Sequence, residues 1–177
     1  MKTIFKSVLA LGLVAGMTFA ANAQKTTTAP ASARILADLT ITLDGVQDEI
    51  AFGNVSANTP AAVVLDANGT DNANTGTVTN VARFNLTGAD ASITVYYDAT
   101  VTLTETVGGV ETIVMTPEVV GDADDANQGS AAGIANAGTV ALVSNAFYIW
   151  VGGTLPTMVN KAQGTYSGTF EISVEYN

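Results

Sequence analysis

Apolar and polar residues alternate along most of the chain, and the alternation is longest at the C-terminal end. In GTYSGTFEISVEYN, residues 164–177, the even positions carry the apolar side chains: Tyr166, Phe170, Ile172, Val174 and Tyr176. Because successive side chains of a strand point to opposite faces, this pattern predicts one unbroken strand with a buried and a solvated face. The same alternation predicts a strand over 92–104. It is longer than most strands, so we expect it to bend near Asp98.

Shorter apolar runs, separated by turn signals, predict the remaining strands. Asn68-Gly69 and Gly108-Gly109 are typical of the tight turns that join neighbouring strands. The other predicted strands cover residues 35–43, 50–55, 62–65, 77–87, 110–115, 140–143 and 147–152. About nine short strands without a convincing helix indicate an all-β fold, an antiparallel β-sandwich. Its expected core includes Leu39, Ile41, Phe52, Phe84, Ile93, Val95, Val101, Phe170, Ile172 and Val174.

The first residues have the pattern of a secretory signal peptide. Lys2 and Lys6 precede a short apolar run, and the run ends on ANAQ, which predicts cleavage after Ala23. The apolar run is shorter than the roughly 20 residues that a membrane-spanning helix needs. We therefore expect a signal peptide at 1–23, a flexible polar leader at 24–34 and one sandwich domain at 35–177. The expected location is the periplasm, the cell surface or the medium, without membrane insertion after cleavage.

The charge balance argues against two classes of partner. The chain has six Lys and Arg residues against 16 Asp and Glu residues. Losing Lys2 and Lys6 with the signal peptide takes the formal net charge from −10 to −12. The four cations that remain are scattered and cannot neutralise a run of phosphates, so we expect neither nucleic acid nor an anionic lipid surface as a partner. No Cys is present, which excludes disulfides and a lipid-modified Cys.

The residue types also limit the chemistry. Without His or Cys, the chain cannot form a catalytic triad, a thiol nucleophile or a conventional zinc site. Two carboxylates would suffice for glycoside hydrolysis, and Asp48-Glu49 and Asp124-Asp125 are the adjacent pairs. A solvated turn explains both pairs, so we expect that the protein is not an enzyme.

Structural calcium is the cofactor that the sequence leaves open. The stretch GDADDANQG, residues 121–129, holds four side chains with the oxygen ligands that calcium prefers: Asp122, Asp124, Asp125 and Asn127. Ala126 interrupts the alternate spacing of an EF-hand, and the terminal Glu of that motif is absent. A second set is explained by the turn DANGTD: Asp66, Asn68 and Asp71. The first loop is therefore the candidate metal site.

The aromatic stretch FYIWVGG suggests a candidate binding surface. Alternation places Phe147, Ile149 and Val151 on one face of a strand, and Tyr148 and Trp150 on the other. An outward-facing Tyr–Trp pair would form a platform for a sugar ring or a partner protein. The alternative is a central strand that is buried on both faces, since Trp side chains are mostly buried.

Several stretches, in order, resemble a family of exported bacterial domains known as a domain of unknown function. That family has an early F-G-x-V motif and ends on G-x-Y-x-G-x-F-x-V-x-V-x-Y. The matching stretches are IAFGNV (50–55), VVLDANGT (63–70), FNLTGADASITV (84–95), VGGTL (151–155) and QGTYSGTFEISVEYN (163–177). The resemblance covers roughly residues 35–177, apart from an unmatched stretch at 105–135.

The family is in turn similar to spore-coat-U-type domains and to subunits of archaic chaperone–usher pili. This resemblance implies an immunoglobulin-like, pilin-like sandwich, in which an extended segment from a neighbouring subunit adds a strand. It also implies a secreted or cell-surface structural or adhesive protein, a pilin-like subunit whose partners are itself or other surface subunits. The alternative is a monomeric extracytoplasmic module that binds a glycan or a protein through Tyr148 and Trp150.

Overall fold

In the computed structural model, which describes residues 27–177, the chain consists almost entirely of antiparallel strands. In chain order these are β1 (Thr40–Leu43), β2 (Val63–Leu65), β3 (Ala82–Thr87), β4 (Ser92–Tyr97), β5 (Val101–Glu105), β6 (Thr112–Asp122), β7 (Ala132–Gly133), β8 (Gly138–Ala141), β9 (Ala146–Leu155), β10 (Tyr166–Ser167) and β11 (Ile172–Tyr176). A 3-10 helix, Asp125–Ser130, lies between β6 and β7. The prediction of an all-β, antiparallel sandwich is confirmed.

The strands form two sheets. The larger sheet has the order β1-β3-β9-β6-β5-β10, with β2 paired to β9 and β7 paired to β6. The smaller sheet has the order β11-β4-β8. Within the described residues, β1, β10 and β11 each pair with a neighbour on one side only. The fold therefore has open edges in both sheets.

The larger sheet is buried on both faces. Between the two sheets lies a cluster that includes Ile149 and Val151 of β9, Leu86 of β3 and Val95 of β4. A second cluster lies on the opposite face of β9 and contains Trp150, together with residues of β2 and of the loop before it. The alternation that the sequence predicted for β9 is therefore correct, and both of its faces are covered.

Two chain segments cross from one sheet to the other, and they cross side by side. The predicted strand over 92–104 is divided into β4 of the smaller sheet and β5 of the larger one, with the break at Asp98, where a bend was expected. The predicted C-terminal strand is divided in the same way into β10 and β11. Its description as one unbroken strand is wrong, because residues 168–171 leave the larger sheet to join the smaller.

The crossing has identifiable causes in the sequence. The Asp98 N–H donates to the Glu171 carbonyl oxygen at 3.1 Å, and the Glu171 N–H donates to Asp98 Oδ2 at 3.0 Å. Gly168 lies against β5, where any Cβ would meet the Thr102 carbonyl oxygen at 2.5 Å. A glycine is therefore required for the close approach of the two backbones.

Other predicted elements differ from the structure. Residues 50–55 form no strand and contribute one bridge, Ala51 to Asn80, since Gly53 has a positive φ of 70° that a strand does not accept. Strand β6 continues to Asp122, beyond the predicted end at Met115, and the 3-10 helix was not predicted.

The N-terminal predictions fall mainly on residues that the structure leaves undescribed. The predicted signal peptide, 1–23, and residues 24–26 of the predicted leader lie outside the described residues. Residues 27–34 have no regular secondary structure, and Ile35–Asn177 form one compact unit. Within residues 27–177, no helix is long and apolar enough to cross a membrane.

Candidate functional site

The strands β1 and β11 lie beside the space between the two sheets, where their apolar side chains pack against the same cluster. Both strands are sheet edges, and the described residues contain no strand pairing between them. Of the predicted core residues, Phe52, Ile93, Val95 and Val101 are buried. Those near these two strands are half-buried instead: Leu39, Ile41, Phe84, Phe170, Ile172 and Val174. We call this region, flanked by Leu39–Leu43 and Ile172–Tyr176, the β1–β11 gap.

The backbone of both strands presents unpaired groups to the gap. The Glu171 carbonyl oxygen accepts from the Asp98 N–H, and the Asn177 N–H donates to the Ser92 carbonyl oxygen, so the odd-numbered residues of β11 bond to β4. Because bonding directions alternate along a strand, the N–H and C=O groups of Ile172 and Val174 point into the gap. In β1, Asp44 N–H donates to the Arg83 carbonyl oxygen at 2.8 Å, so the backbone of Ile41 points away from β3. The same residues that have half-buried apolar side chains thus have free backbone groups.

Each end of the gap is fixed by aromatic contacts. At one end, the Tyr176 hydroxyl donates to the Ala37 carbonyl oxygen at 2.9 Å and accepts from the Ala89 N–H at 2.6 Å. At the other end, the rings of Phe84 and Phe170 lie 6.2 Å apart between centroids. These contacts hold the two sheets together around the opening without closing it.

The end of the gap at Phe84 and Phe170 leads into a cavity. Both side chains also line this cavity, which has a volume of about 690 Å³. Its floor is apolar and includes Phe52, Met115 and Met158, all of which are buried. Exposed Asp48 and Glu49, one of the two adjacent carboxylate pairs, lie among its lining residues. The volume is within the usual range for ligand pockets, roughly 300–1,000 Å³.

The predicted aromatic platform is not formed. Trp150 is 0% exposed, and Tyr148 is half-buried beside it, with 6.3 Å between the ring centroids. The Arg83 guanidinium lies 6.0 Å from the Tyr148 ring centroid, and it also pairs with Asp44. The sequence separated the two faces of β9 correctly, and the alternative of a strand buried on both faces is the one the structure has, because the chain before and after β2 covers the face of Tyr148 and Trp150. Trp150 is therefore a core residue in this structure.

The predicted calcium loop is organised by its own hydrogen bonds. Asp122 Oδ1 accepts from the Asp124 N–H at 2.9 Å and from Asn127 Nδ2 at 3.2 Å. Asp124 Oδ1 accepts from the Ala126 N–H at 3.0 Å and caps the 3-10 helix, with Asp125 in its first turn. Over residues 27–177, no group of three or more acidic side chains is arranged to hold a metal ion. The structure therefore gives the calcium prediction no geometric support.

Asp66 organises the turn DANGTD, to which the sequence analysis assigned it. It is buried, and its carboxylate accepts from the backbone N–H groups of Asn68, Thr70 and Asp71 at 3.2, 2.9 and 2.8 Å. The Thr70 hydroxyl donates as well, at 2.8 Å. Burial alone would raise the pKa of Asp66, but these hydrogen bonds outweigh it and lower the pKa below its usual 3.8. An Asp two residues before Asn-Gly was the available sequence signal.

Glu105 plays the corresponding role at the hairpin between β5 and β6. It is buried and accepts from the N–H groups of Gly108, Val107 and Gly109, which lower its pKa against the opposing effect of burial. A carboxylate that accepts several backbone hydrogen bonds stays ionised at neutral pH. Asp66 and Glu105 thus hold loops in place, and neither has the raised pKa that a general acid requires.

Comparison with known proteins supports a family assignment but supplies no activity. A search of curated proteins finds no match to this chain. One family model matches residues 39–176, which is most of the chain and includes the open strands β1 and β11. The chain therefore belongs to the family described as domain of unknown function DUF4402.

Proposed function

We propose that the protein is an exported, non-catalytic structural or adhesive surface protein, a pilin-like subunit that assembles by strand addition. The observation that carries this proposal is the β1–β11 gap. Its two edges combine free backbone groups with half-buried apolar side chains, such as Ile41 and Val174. An extended segment from another molecule would pair with the free backbone groups and cover the half-buried side chains.

The energetics favour such an addition. An unpaired sheet edge is a ready template for another strand, and each new backbone hydrogen bond contributes about 0.5–1.5 kcal/mol net. Full burial of a Val or Ile side chain is worth about 1.5–3 kcal/mol. The half-buried side chains at the gap would gain part of that amount.

The test is a denaturing gel of cell envelopes from cells that express the full sequence, with unboiled and boiled samples probed for this protein. A ladder in the unboiled lane that collapses on boiling would indicate strand-linked polymers, because such pairings resist detergent until they are heated. A single band in both lanes, at the mass of one chain, would refute assembly by strand addition.

The cavity favours a second candidate, a monomeric module that binds a glycan or another ligand. Because Trp150 is buried, the ligand would enter the cavity beside Phe170 and Met158. This candidate predicts a single band in both lanes and a rise in melting temperature with a soluble ligand. Substituting Met158 by Asp should remove that rise, whereas the matched substitution of exposed Val159 should not.

A further inference from the structure

We propose that the cavity beside Phe170 binds a small amphiphile with one apolar chain and one cationic head group. The inference rests on the ligand-binding candidate described above and names the chemical class of its ligand. The cavity of about 690 Å³ is lined mainly by two chain segments, residues 50–57 and 161–170. Strands β5, β6 and β9 of the larger sheet add further apolar side chains.

The fold holds these two segments apart over most of their length. At one end they meet, where the Lys161 N–H donates to the Ala57 carbonyl oxygen at 3.2 Å. Beyond that point, no backbone hydrogen bond joins residues 50–56 to residues 162–170 in the described part of the chain. The first segment is bonded instead to the chain before β3, and the second to β5 and the hairpin that follows it. The space between them is therefore preformed, as it is in most ligand sites.

The buried part of the lining suits a flexible apolar chain. Phe52, Met115 and Met158 line the cavity, and all three are buried. Methionine side chains are flexible and polarisable, so they adapt to a chain that can bend. A glycan fits this surface less well, because its hydroxyl groups would lose water without gaining hydrogen-bond partners from the three side chains. The cavity therefore favours a hydrocarbon chain over a sugar ring.

The charged residues of the lining select a cationic head group. Asp48 and Glu49 are exposed, and neither forms an ion pair within the described residues. Among the described residues that line the cavity, Lys161 is the one basic side chain, and its Nζ already contacts Glu111 Oε2 at 3.2 Å and the Thr112 carbonyl oxygen at 2.9 Å. An anionic head group would therefore meet two unpaired carboxylates, whereas a cationic head group would be attracted by them.

The order of residues along the first segment sets the direction of the ligand. Asp48 and Glu49 directly precede this segment, and the join between Ala57 and Lys161 closes its other end. Buried Met158 lies beside the join. The apolar chain would thus extend toward Met158, with the head group at the exposed carboxylates. A head group in this position stays in contact with water, so binding does not require the burial of its charge.

Titration calorimetry with simple amphiphiles tests the proposal on protein purified from cells that express the full sequence. The probes are octyl- and decyltrimethylammonium, octyl sulfate and octyl glucoside, each kept below the concentration at which it forms micelles. We expect octyltrimethylammonium to bind about ten-fold more tightly than octyl sulfate at low salt, with octyl glucoside between them. That ratio should fall as salt screens the carboxylates. Each added CH₂ should tighten binding about four-fold, since the burial of one CH₂ is worth about 0.8 kcal/mol.

Two charge variants separate the effect of the cavity from that of the net charge. Asp48→Asn with Glu49→Gln removes both carboxylates of the lining, and the variant should fold because these positions are exposed. Asp38→Asn with Asp71→Asn removes two charges at exposed positions outside the lining. We expect the first variant to lose the preference for the cationic head group and to keep the dependence on chain length, and the second to keep both. An equal loss of preference in the two variants would refute the role of Asp48 and Glu49.

The remaining outcomes overturn different parts of the reasoning. Octyl sulfate that binds as tightly as octyltrimethylammonium would refute the cationic head group and leave the ligand-binding candidate standing. An affinity that does not rise from the octyl to the decyl probe would show that the chain is not buried and would overturn the proposal. If no probe binds while a soluble glycan raises the melting temperature, the proposal fails and the ligand-binding candidate stands; if neither ligand acts, both fail.

A photoreactive probe tests the location without any substitution in the chain. A decyltrimethylammonium analogue with a diazirine at the end of its apolar chain is bound and illuminated, and the labelled peptides are identified by mass spectrometry. We expect the label on residues of the lining, foremost Met158. A label confined to residues outside the lining would overturn the assignment of the site.

Discussion

Shortening one valine on each side of the larger sheet tests whether both of its faces are core. Val151 faces the space between the sheets, and Val63 faces the opposite side; both are 0% exposed. Val→Ala removes two carbon atoms, worth about 0.8 kcal/mol for each buried CH₂, and the cavity left behind adds to this. Each substitution should therefore lower the free energy of unfolding by about 2–3 kcal/mol. Val114 of β6, which is 47% exposed, is the matched control, and its substitution should cost less than about 1 kcal/mol.

Urea unfolding followed by the fluorescence of Trp150 measures these differences. The single Trp of the chain is fully buried, so its emission should shift to longer wavelength when the sandwich opens. With a urea dependence of about 1–3 kcal/mol per molar, Val151→Ala and Val63→Ala should each lower the midpoint by about 1 M. Since all three variants make the same chemical change in a strand, differences in strand propensity largely cancel. If Val63→Ala costs no more than Val114→Ala, the second cluster is not a core, and Trp150 would again be a candidate for ligand contact.

Two further predictions follow from the loops and the crossing. Hydrogen bonds lower the pKa values of Asp66 and Glu105 in the folded state. The stability that these groups contribute is therefore present above their usual pKa of about 4 and is lost as pH falls through the lower folded values. Acid titration of the Trp fluorescence should show unfolding in that range, and Asp66→Asn should unfold more easily at pH 7 with a weaker pH dependence. Gly168→Val should prevent the strand crossing and give insoluble protein. The control Gly109→Asn, at an open turn with positive φ, should remain soluble. Equal yields of soluble protein from the two variants would contradict the close approach of Gly168 to β5.

The sequence predicted those features that depend on local alternation. The two faces of β9 and the all-β architecture follow from which side chains an extended backbone places on each side, and the bend near Asp98 follows from the length of the alternating stretch. The same reasoning correctly placed Phe52 and Ile93 in the core. These features need no knowledge of what lies above the sheet.

Other features depended on distant parts of the chain and were not predictable from a local pattern. Whether Trp150 meets solvent depends on the loop before β2, which lies far away in sequence and covers it. The division of the C-terminal strand depends on Gly168 approaching β5, and alternation continues through that point without a break. The cap formed by Glu105 was not predicted, because its carboxylate meets the backbone N–H groups of Val107, Gly108 and Gly109 only once the hairpin has formed.

The central position of β9 has a consequence for how the chain folds. This strand pairs with β3 on one side and β6 on the other, and it comes late in the sequence. The larger sheet therefore cannot form from its N-terminal strands alone, since the partner that joins them is among the last to be synthesised. Folds that depend on such distant pairings fold slowly, and their unpaired strands are prone to aggregation in the meantime. The time between synthesis and sheet closure is thus the period in which the strands of this protein are most exposed to aggregation.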